Sequence, residues 1–269
     1  HTLLIVISQS GETADTIAAM IECKNRGAKT LAIVNVVGST IANTADHTLY
    51  TWAGPEIAVA TTKGYTTQLT LLYLFALYTA KKTEKISDED YSKLLKELNS
   101  LPKKVQEALD MSSAIPELAK KYHKTNSMFF LGRNTDYAVS LEAALKMKEI
   151  SYIHAESYAA GELKHGTIAL IEEHTPVIAL CCNDFLMEKT ISNVVEVKAR
   201  GAEVLAVTFK DNDKVVSLAD DVIFVPKTET VFSPMAEVIP LQLLAYYVAK
   251  ENGCDIDKPK NLAKSVTVE

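Results

Sequence analysis

Four side chains that can donate hydrogen bonds follow the first apolar run of the chain: Ser8, Gln9, Ser10 and Thr13. Residues 3–7 are all leucine, isoleucine or valine, which is typical of a buried strand, and a helical pattern begins at Thr13. The free N–H groups at the start of that helix, with the positive end of its dipole, face the loop. These residues predict an anion pocket, with phosphate as the expected ligand.

Serine and threonine ahead of a helix also act as caps, and spacing alone leaves that alternative open. A cap uses one or two amides, which is fewer than the four donors present. Gly11 allows a ligand to approach the backbone closely. A nucleotide P-loop is not indicated, because the chain has no G-x-x-x-x-G-K-[ST] run.

Strands and helices alternate around this loop. Apolar runs predict strands over residues 2–7, 30–34 and 48–51, and helical patterns cover 13–26 and 65–82. A charged helix over 87–110 leads to a second series, with a long helix over 138–153 and strands over 127–131, 176–180, 204–207 and 222–225. This rhythm predicts an α/β fold of two αβα sandwiches with parallel, flavodoxin-like sheets.

The two halves look like copies of one another. Residues 31–34 followed by Asp46 correspond to residues 205–207 followed by Asp220, and each copy closes with a Gln-Leu helix. The strand at 127–131 and the helix after it have no counterpart in the first half. We therefore expect the first half to lack its opening βα unit, which a longer natural protein would carry upstream.

The predicted boundaries are a first domain over residues 1–86, a helical connector over 87–112, a second domain over 113–255 and a C-terminal tail over 256–269. The tail is expected to cover the active site, with a β-like run at 265–268 that docks. With 269 residues, 48% of them hydrophobic, the chain is long enough for two cores.

Composition excludes several functional classes. A net charge of -6 argues against a nucleic-acid partner, which needs a basic face. The four cysteines and six histidines show no metal-ligand spacing, so neither a metal nor another cofactor is predicted. The apolar stretch at 69–80 is too short for a membrane span, and no secretion signal is evident, so a cytoplasmic location away from membranes is expected.

Four motifs in order resemble the isomerase module of glutamine:fructose-6-phosphate amidotransferases, also called glucosamine-6-phosphate synthases. They are SQSGETADT at residues 8–16, KEISYIHAE at 148–156, GELKHG at 161–166 and NLAKSVTVE at 261–269. The resemblance covers essentially the whole chain. It implies two sugar isomerase (SIS) domains, a homodimer, and conversion of fructose 6-phosphate plus ammonia to glucosamine 6-phosphate. The ammonia would come from glutamine through a glutaminase domain that nothing in this chain matches.

The resemblance also assigns roles to single residues. Ser8, Gln9, Ser10 and Thr13 would hold the phosphate. Three further residues would line the sugar site: Val59, Thr61 and Ala263. His165 would open the sugar ring, reaching the site of the neighbouring subunit, and Lys264 would form a Schiff base with the open-chain ketose.

Glu149 resembles the family's base for proton transfer between C1 and C2, and Lys146 lies three residues earlier on the same predicted helix. An ordinary surface ion pair is the alternative on spacing alone. Apolar or small residues surround the pair in sequence, which favours an enclosed helix, and charges placed there carry a desolvation cost. Two departures from the family pattern are Lys260, where arginine is usual, and Thr167, where proline is commoner.

Two other functions remain possible from sequence. One is a sugar-phosphate sensing module that binds without transforming its ligand; such a module would not need Glu149, His165 and Lys264 together. The other is a simple aldose–ketose phosphate isomerase without amination, which would share most of the site.

Overall fold

A computed structural model of the chain describes residues 2–264. The predicted β-like run at 265–268 lies outside these residues. Contacts within the chain divide it into two compact units. Unit 1 runs to Tyr91 and also contains the segment from Lys260 onward, and unit 2 is Ser92–Pro259.

Unit 1 is built on a three-stranded parallel sheet in the order β1-β2-β3. Its elements are β1 (Leu3–Ser8), α1 (Ala14–Asn25), β2 (Lys29–Val34), α2 (Thr40–Thr44), β3 (His47–Tyr50) and α3 (Lys63–Lys82). Residues of β2 from Thr30 to Val34 are buried, as expected for the middle strand of a parallel sheet. The core of the unit joins this strand to Val6 of β1 and Met20 of α1.

The two faces of β1 differ. Val6 and Ser8 point to the buried side, whereas Leu3, Ile5 and Ile7 are 51%, 38% and 42% exposed. Alternate residues of a strand lie on opposite faces, so these three apolar side chains share one face. One face of β1 therefore carries a row of exposed apolar side chains.

Unit 2 contains a five-stranded parallel sheet in the order β5-β4-β6-β7-β8. The strands are β4 (Ser127–Gly132), β5 (His154–Ala159), β6 (Pro176–Cys181), β7 (Glu203–Thr208) and β8 (Asp221–Phe224). The helices are α4 (Asp88–Asp110, which begins before the unit boundary), α5 (Ile115–Tyr122), α6 (Thr135–Ser151), α7 (Met187–Lys198), α8 (Asp213–Leu218) and α9 (Ser233–Glu251). This strand order is flavodoxin-like, as predicted.

Helix α9 is buried along most of its length and packs against α5 and α6. Together with the turn before it, the segment Thr230–Glu251 is long and apolar enough to cross a membrane, and 67% of its most apolar window is buried inside the protein. Enclosure by neighbouring helices identifies it as the core helix of unit 2.

Topology confirms the predicted repeat and extends it. The order β1-β2-β3 matches β6-β7-β8, and the predicted βα unit without a counterpart is β4 with α6. A further strand without a counterpart, β5, was not predicted. The long helix ends at Ser151 and not at Ile153, because Tyr152 turns left-handed with φ 63° and starts the chain into β5.

Equivalent aspartates anchor the starts of β2 in unit 1 and β7 in unit 2. Asp46 accepts hydrogen bonds from the Thr30 N–H (2.8 Å) and hydroxyl (2.9 Å), and Asp220 accepts one from the Val204 N–H (2.8 Å). Thr30 and Val204 occupy equivalent positions in the repeat. The hydrogen bonds from Thr30 lower the pKa of the Asp46 carboxyl.

We expect Asp46→Ala to lower the melting temperature of unit 1 at pH 7. A carboxylate whose pKa is lowered by folding stabilises the folded state above its unfolded pKa of about 3.9, and that stabilisation disappears as the pH falls through the folded pKa. The difference from the unaltered chain should therefore shrink in acid. Thermal unfolding between pH 7 and pH 3 measures it. The exposed Glu84→Gln is the control, and an equal loss in both variants would contradict the anchoring role.

Candidate active site

The loop at residues 8–13 joins β1 to α1 and has an ordered internal structure. Ser8 Oγ accepts a hydrogen bond from the Gly11 N–H (3.0 Å) and lies 3.2 Å from Thr13 Oγ1. Ser10 Oγ accepts one from the Glu12 N–H (3.2 Å). Thr13 is the residue before the helix, yet its side chain makes no capping hydrogen bond. The cap alternative therefore does not explain Thr13, whose hydroxyl faces that of Ser8.

The negative charge in this loop is directed away from the hydroxyls. Glu12 accepts hydrogen bonds from the Thr40 N–H (2.8 Å) and the Thr40 hydroxyl (2.7 Å), which lower the pKa of its carboxyl. The Ile41 N–H donates to the Gly11 carbonyl at 3.0 Å. Gly11 has φ 70°, and a Cβ there would lie 2.1 Å from Ser39 Oγ, so only glycine fits. These contacts fasten the loop to residues 39–41.

A second loop of unit 1, residues 51–62, contains Val59 and Thr61. Thr61 has φ 57°, a left-handed conformation that is strained for a β-branched residue. Lys264 Nζ donates hydrogen bonds to Thr61 Oγ1 and to the Ala58 carbonyl, both at 2.7 Å. The tail thus places Lys264 on this loop, while Ala263 beside it is exposed.

The two loops of unit 1 adjoin each other at Gly64, in the first turn of α3. A Cβ on Gly64 would lie 2.7 Å from Thr61 Cγ2 and 3.5 Å from Gln9 Cγ. The Gly64 N–H donates to Glu56 Oε2 at 3.0 Å, which ties the second loop to the helix. Unit 1 therefore brings together the predicted phosphate residues, Thr61 and Lys264.

Helix α6 of unit 2 carries an enclosed ionic cluster. Lys146 Nζ lies 2.7 Å from Glu149 Oε2 and 3.4 Å from Glu142 Oε1. The side chains of Lys146, Glu149 and Glu142 are only 7%, 22% and 13% exposed. Burial raises the pKa of Glu142, and the Lys146 ammonium opposes that effect. The surface ion pair considered from sequence is excluded by this burial.

Glu142 was missed by sequence reasoning. The sequence does contain a pattern that predicts its position, because residues 142, 146 and 149 have the i, i+4, i+7 spacing of one helical face. Two carboxylates around one buried ammonium leave a negative charge that can accept a proton.

His165 lies at the end of a short 3₁₀ helix, Leu163–His165, in unit 2. Leu163 is buried in the core of the unit and anchors this turn, whereas His165 is exposed. The His165 N–H donates to the Glu162 carbonyl at 3.0 Å. The fold therefore presents the imidazole on the surface of unit 2.

In the part of the chain that the structure describes, no group of three or more histidine, cysteine or acidic side chains is arranged to hold a metal ion. The adjacent Cys181 and Cys182 are both buried, and burial raises the pKa of each thiol. They are core residues and poor nucleophiles.

Comparison with known proteins agrees with this geometry. The SIS domain model matches residues 1–78 and 121–251. The chain belongs to the SIS domain family. A glutamine–fructose-6-phosphate aminotransferase (isomerizing) of Clostridium tetani is 54% identical over 268 residues, which cover 100% of this chain and 44% of that relative. The chain thus spans less than half the length of the curated relatives it matches.

Solved structures give the same result. A C-terminal domain of glucosamine-fructose-6-phosphate aminotransferase from Francisella tularensis is 39% identical, with a TM-score of 0.92, covering 96% of this SIS chain and 73% of that one. A glucosamine-6-phosphate deaminase from Thermotoga maritima is 25% identical, with a TM-score of 0.74, covering 99% and 75%. The resemblance inferred from the four sequence motifs is confirmed.

We expect Lys146→Met to destabilise unit 2 by about 3 kcal/mol, because it leaves two enclosed carboxylates without their cation. Lys146→Arg keeps the charge and should lose less. The exposed Lys148→Met on the same helix is the matched control. Urea unfolding measures the difference, and equal stabilities of the Lys146→Met and Lys148→Met variants would contradict an enclosed cluster.

Proposed function

We propose that this chain is the sugar isomerase part of a glutamine–fructose-6-phosphate aminotransferase. Its substrates would be fructose 6-phosphate and ammonia, and its product glucosamine 6-phosphate. The observation that carries the proposal is the enclosed cluster of Lys146, Glu142 and Glu149, because a binding module has no use for a desolvated base. The identity to named aminotransferases supports the choice of substrate.

The phosphate would be held by the loop at 8–13. Its hydroxyls at Ser8, Ser10 and Thr13, the Gln9 amide and the N-terminus of α1 offer donors to the phosphate oxygens. The Glu12 carboxylate is held by Thr40 and so takes none of these donors. Phosphate binding then fixes the sugar chain relative to the second loop of unit 1, with Val59, Thr61 and Ala263 lining its path.

The chemistry begins at the ketose carbonyl. His165 would take a proton from the anomeric hydroxyl and return one to the ring oxygen, which opens the ring. The Lys264 amine would attack C2, and loss of water leaves an imine. Ammonia displaces Lys264 from C2 and forms the substrate imine, so the lysine is released unchanged.

Proton transfer follows from this imine. Glu149 would remove a proton from C1, and the electron pair moves into a C1–C2 double bond as the imine nitrogen gains a proton. Return of a proton to C2 and loss of the O1 proton give an aldehyde at C1 and an amine at C2. The Lys146 ammonium stabilises the Glu149 carboxylate between these steps.

Further parts of the proposal concern partners and location. The ammonia source would be a glutaminase domain, since relatives of that name extend well beyond the matched region. We place the enzyme in the cytoplasm as a homodimer, with His165 offered to the neighbouring subunit. The exposure of His165 on a turn anchored by Leu163 supports that role.

The proposal is tested by incubating the chain with fructose 6-phosphate, with and without ammonium, and measuring glucose 6-phosphate and glucosamine 6-phosphate. We expect isomerisation in both cases and amination only with ammonium. Isomerisation without any amination would identify a simple aldose–ketose isomerase, and binding without turnover would favour a sensing module.

Glu149→Gln should lower kcat at least about 100-fold, the usual contribution of a general base, and leave the Kd for fructose 6-phosphate within about twofold. Isothermal titration measures the Kd, and a coupled isomerase assay measures kcat. Lys148→Gln, an exposed change on the same helix, is the control. Full turnover by the Glu149→Gln variant would remove this residue from the mechanism.

Ser10→Ala should weaken fructose 6-phosphate binding by about 1 kcal/mol, or about fivefold, the net value of one hydrogen bond. Binding of unphosphorylated fructose should not change. An unchanged Kd for the phosphorylated sugar would reduce residues 8–13 to a structural loop.

Lys264 should become covalently labelled when borohydride is added with fructose 6-phosphate, because reduction fixes the imine. Peptide mass spectrometry would find the sugar phosphate on Lys264. Lys264→Arg should remove the label, and Lys260→Arg should retain it. Labelling of other lysines in place of Lys264 would contradict its assignment.

A further inference from the structure

The loop that follows β6 holds a carboxylate from its own chain. Asp136 Oδ2 accepts hydrogen bonds from two consecutive backbone N–H groups, that of Cys182 at 2.9 Å and that of Asn183 at 3.1 Å. Asp136 is in the first turn of α6 and is 0% exposed. A pair of successive N–H groups converging on one oxygen is the arrangement by which loops bind anions.

Strand register makes this loop the equivalent of the proposed phosphate loop. Val34 pairs with Ser8 in unit 1, and Thr208 pairs with Cys181 in unit 2. The repeat aligns Val34 with Thr208, so Cys181 corresponds to Ser8. Cys182 and Asn183 then correspond to Gln9 and Ser10.

We propose that the loop after β6 is an anion site whose ligand is the Asp136 carboxylate of the chain itself. In unit 1 the loop carboxylate, Glu12, is turned away to Thr40, and the loop is hydroxyl-rich. In unit 2 the Asp136 carboxylate accepts the hydrogen bonds of the loop, so an oxyanion from solution cannot bind at the same N–H groups. Asp136 therefore restricts sugar-phosphate binding to one unit. This inference rests on the phosphate loop proposed for unit 1, whereas the test below probes the Asp136 site itself.

A neighbouring acid supports the charge state of Asp136. Glu237 of α9 is 0% exposed, and neither of its carboxylate oxygens has a hydrogen-bond partner. Burial and the nearby Asp136 raise the pKa of Glu237 well above its usual value. The neighbouring Ser233 hydroxyl lowers this pKa in part, although it makes no hydrogen bond of standard geometry to Glu237. Burial raises the pKa of Asp136 to about 7, against the effect of its two N–H donors. The two backbone N–H donors point to Asp136 and not to Glu237, which favours the charged form of Asp136 over that of Glu237.

Removal of the carboxylate should expose the site to a small anion. Asp136→Ala frees space for about one carboxyl group, which formate fits and inorganic phosphate exceeds. Asp136→Asn is the matched control, because its amide oxygen still accepts from the two N–H groups and leaves no space. The full chain labelled with [¹⁵N]cysteine has only four cysteines, at positions 23, 181, 182 and 254, so the Cys182 amide is a simple reporter.

We expect the NMR signal of the Cys182 amide to shift in Asp136→Ala. Added formate should move this signal back towards its original position, and the effect should saturate as the formate concentration rises. Sodium chloride at equal ionic strength and inorganic phosphate should not restore it, and Asp136→Asn should not respond to formate. Restoration by phosphate as complete as that by formate would contradict a site the size of one carboxyl group. An Asp136→Ala signal insensitive to both anions, or one that moves equally in the unaltered chain, would overturn the proposal.

Asp136→Ala protein that does not fold still provides a test. Refolding that succeeds in formate and fails in chloride supports the site. Failure in both, while Asp136→Asn folds normally, would mean that Asp136 has a packing role only and would contradict the proposal.

Discussion

Backbone N–H groups just beyond the end of a buried parallel strand need an acceptor, and the two units of this chain meet that need differently. Unit 2 brings in the Asp136 carboxylate from α6, which satisfies Cys182 and Asn183 internally. Unit 1 surrounds the equivalent loop with hydroxyls and directs Glu12 to Thr40. Equivalent loops of the repeat therefore differ in whether a carboxylate of the chain itself occupies them.

The contact between Asp136 and the loop after β6 also stabilises helix α6. Asp136 fastens the first turn of α6 through Cys182 and Asn183, and α9 packs against the helix, so Lys146 is buried and its two carboxylates are largely enclosed. Desolvated charges of this kind lower stability unless they are paired. Pairing with Lys146 therefore explains how two carboxylates are accommodated on this enclosed face of α6.

Much of this was visible in the sequence. Seven of the eight strands found within residues 2–264 were predicted, because continuous apolar runs such as residues 3–7 and 176–180 have few other interpretations. Strand β5 was missed because its His154, Glu156 and Ser157 interrupt the apolar pattern and it follows a left-handed turn. Asp136 and Cys182 are 46 residues apart in sequence, so their contact could not be predicted from a local sequence pattern. Glu142, by contrast, had the correct helical spacing and could have been found.

The most direct measurement is the number of fructose 6-phosphate molecules bound per chain. Isothermal titration to saturation with the sugar phosphate gives this number, and the titration is repeated with the Ser10→Ala variant. We expect one site per chain, weakened by the substitution in unit 1. Two equivalent sites would contradict the internal occupation of the second loop by Asp136. No binding at all would contradict the assignment of residues 8–13 as a phosphate loop.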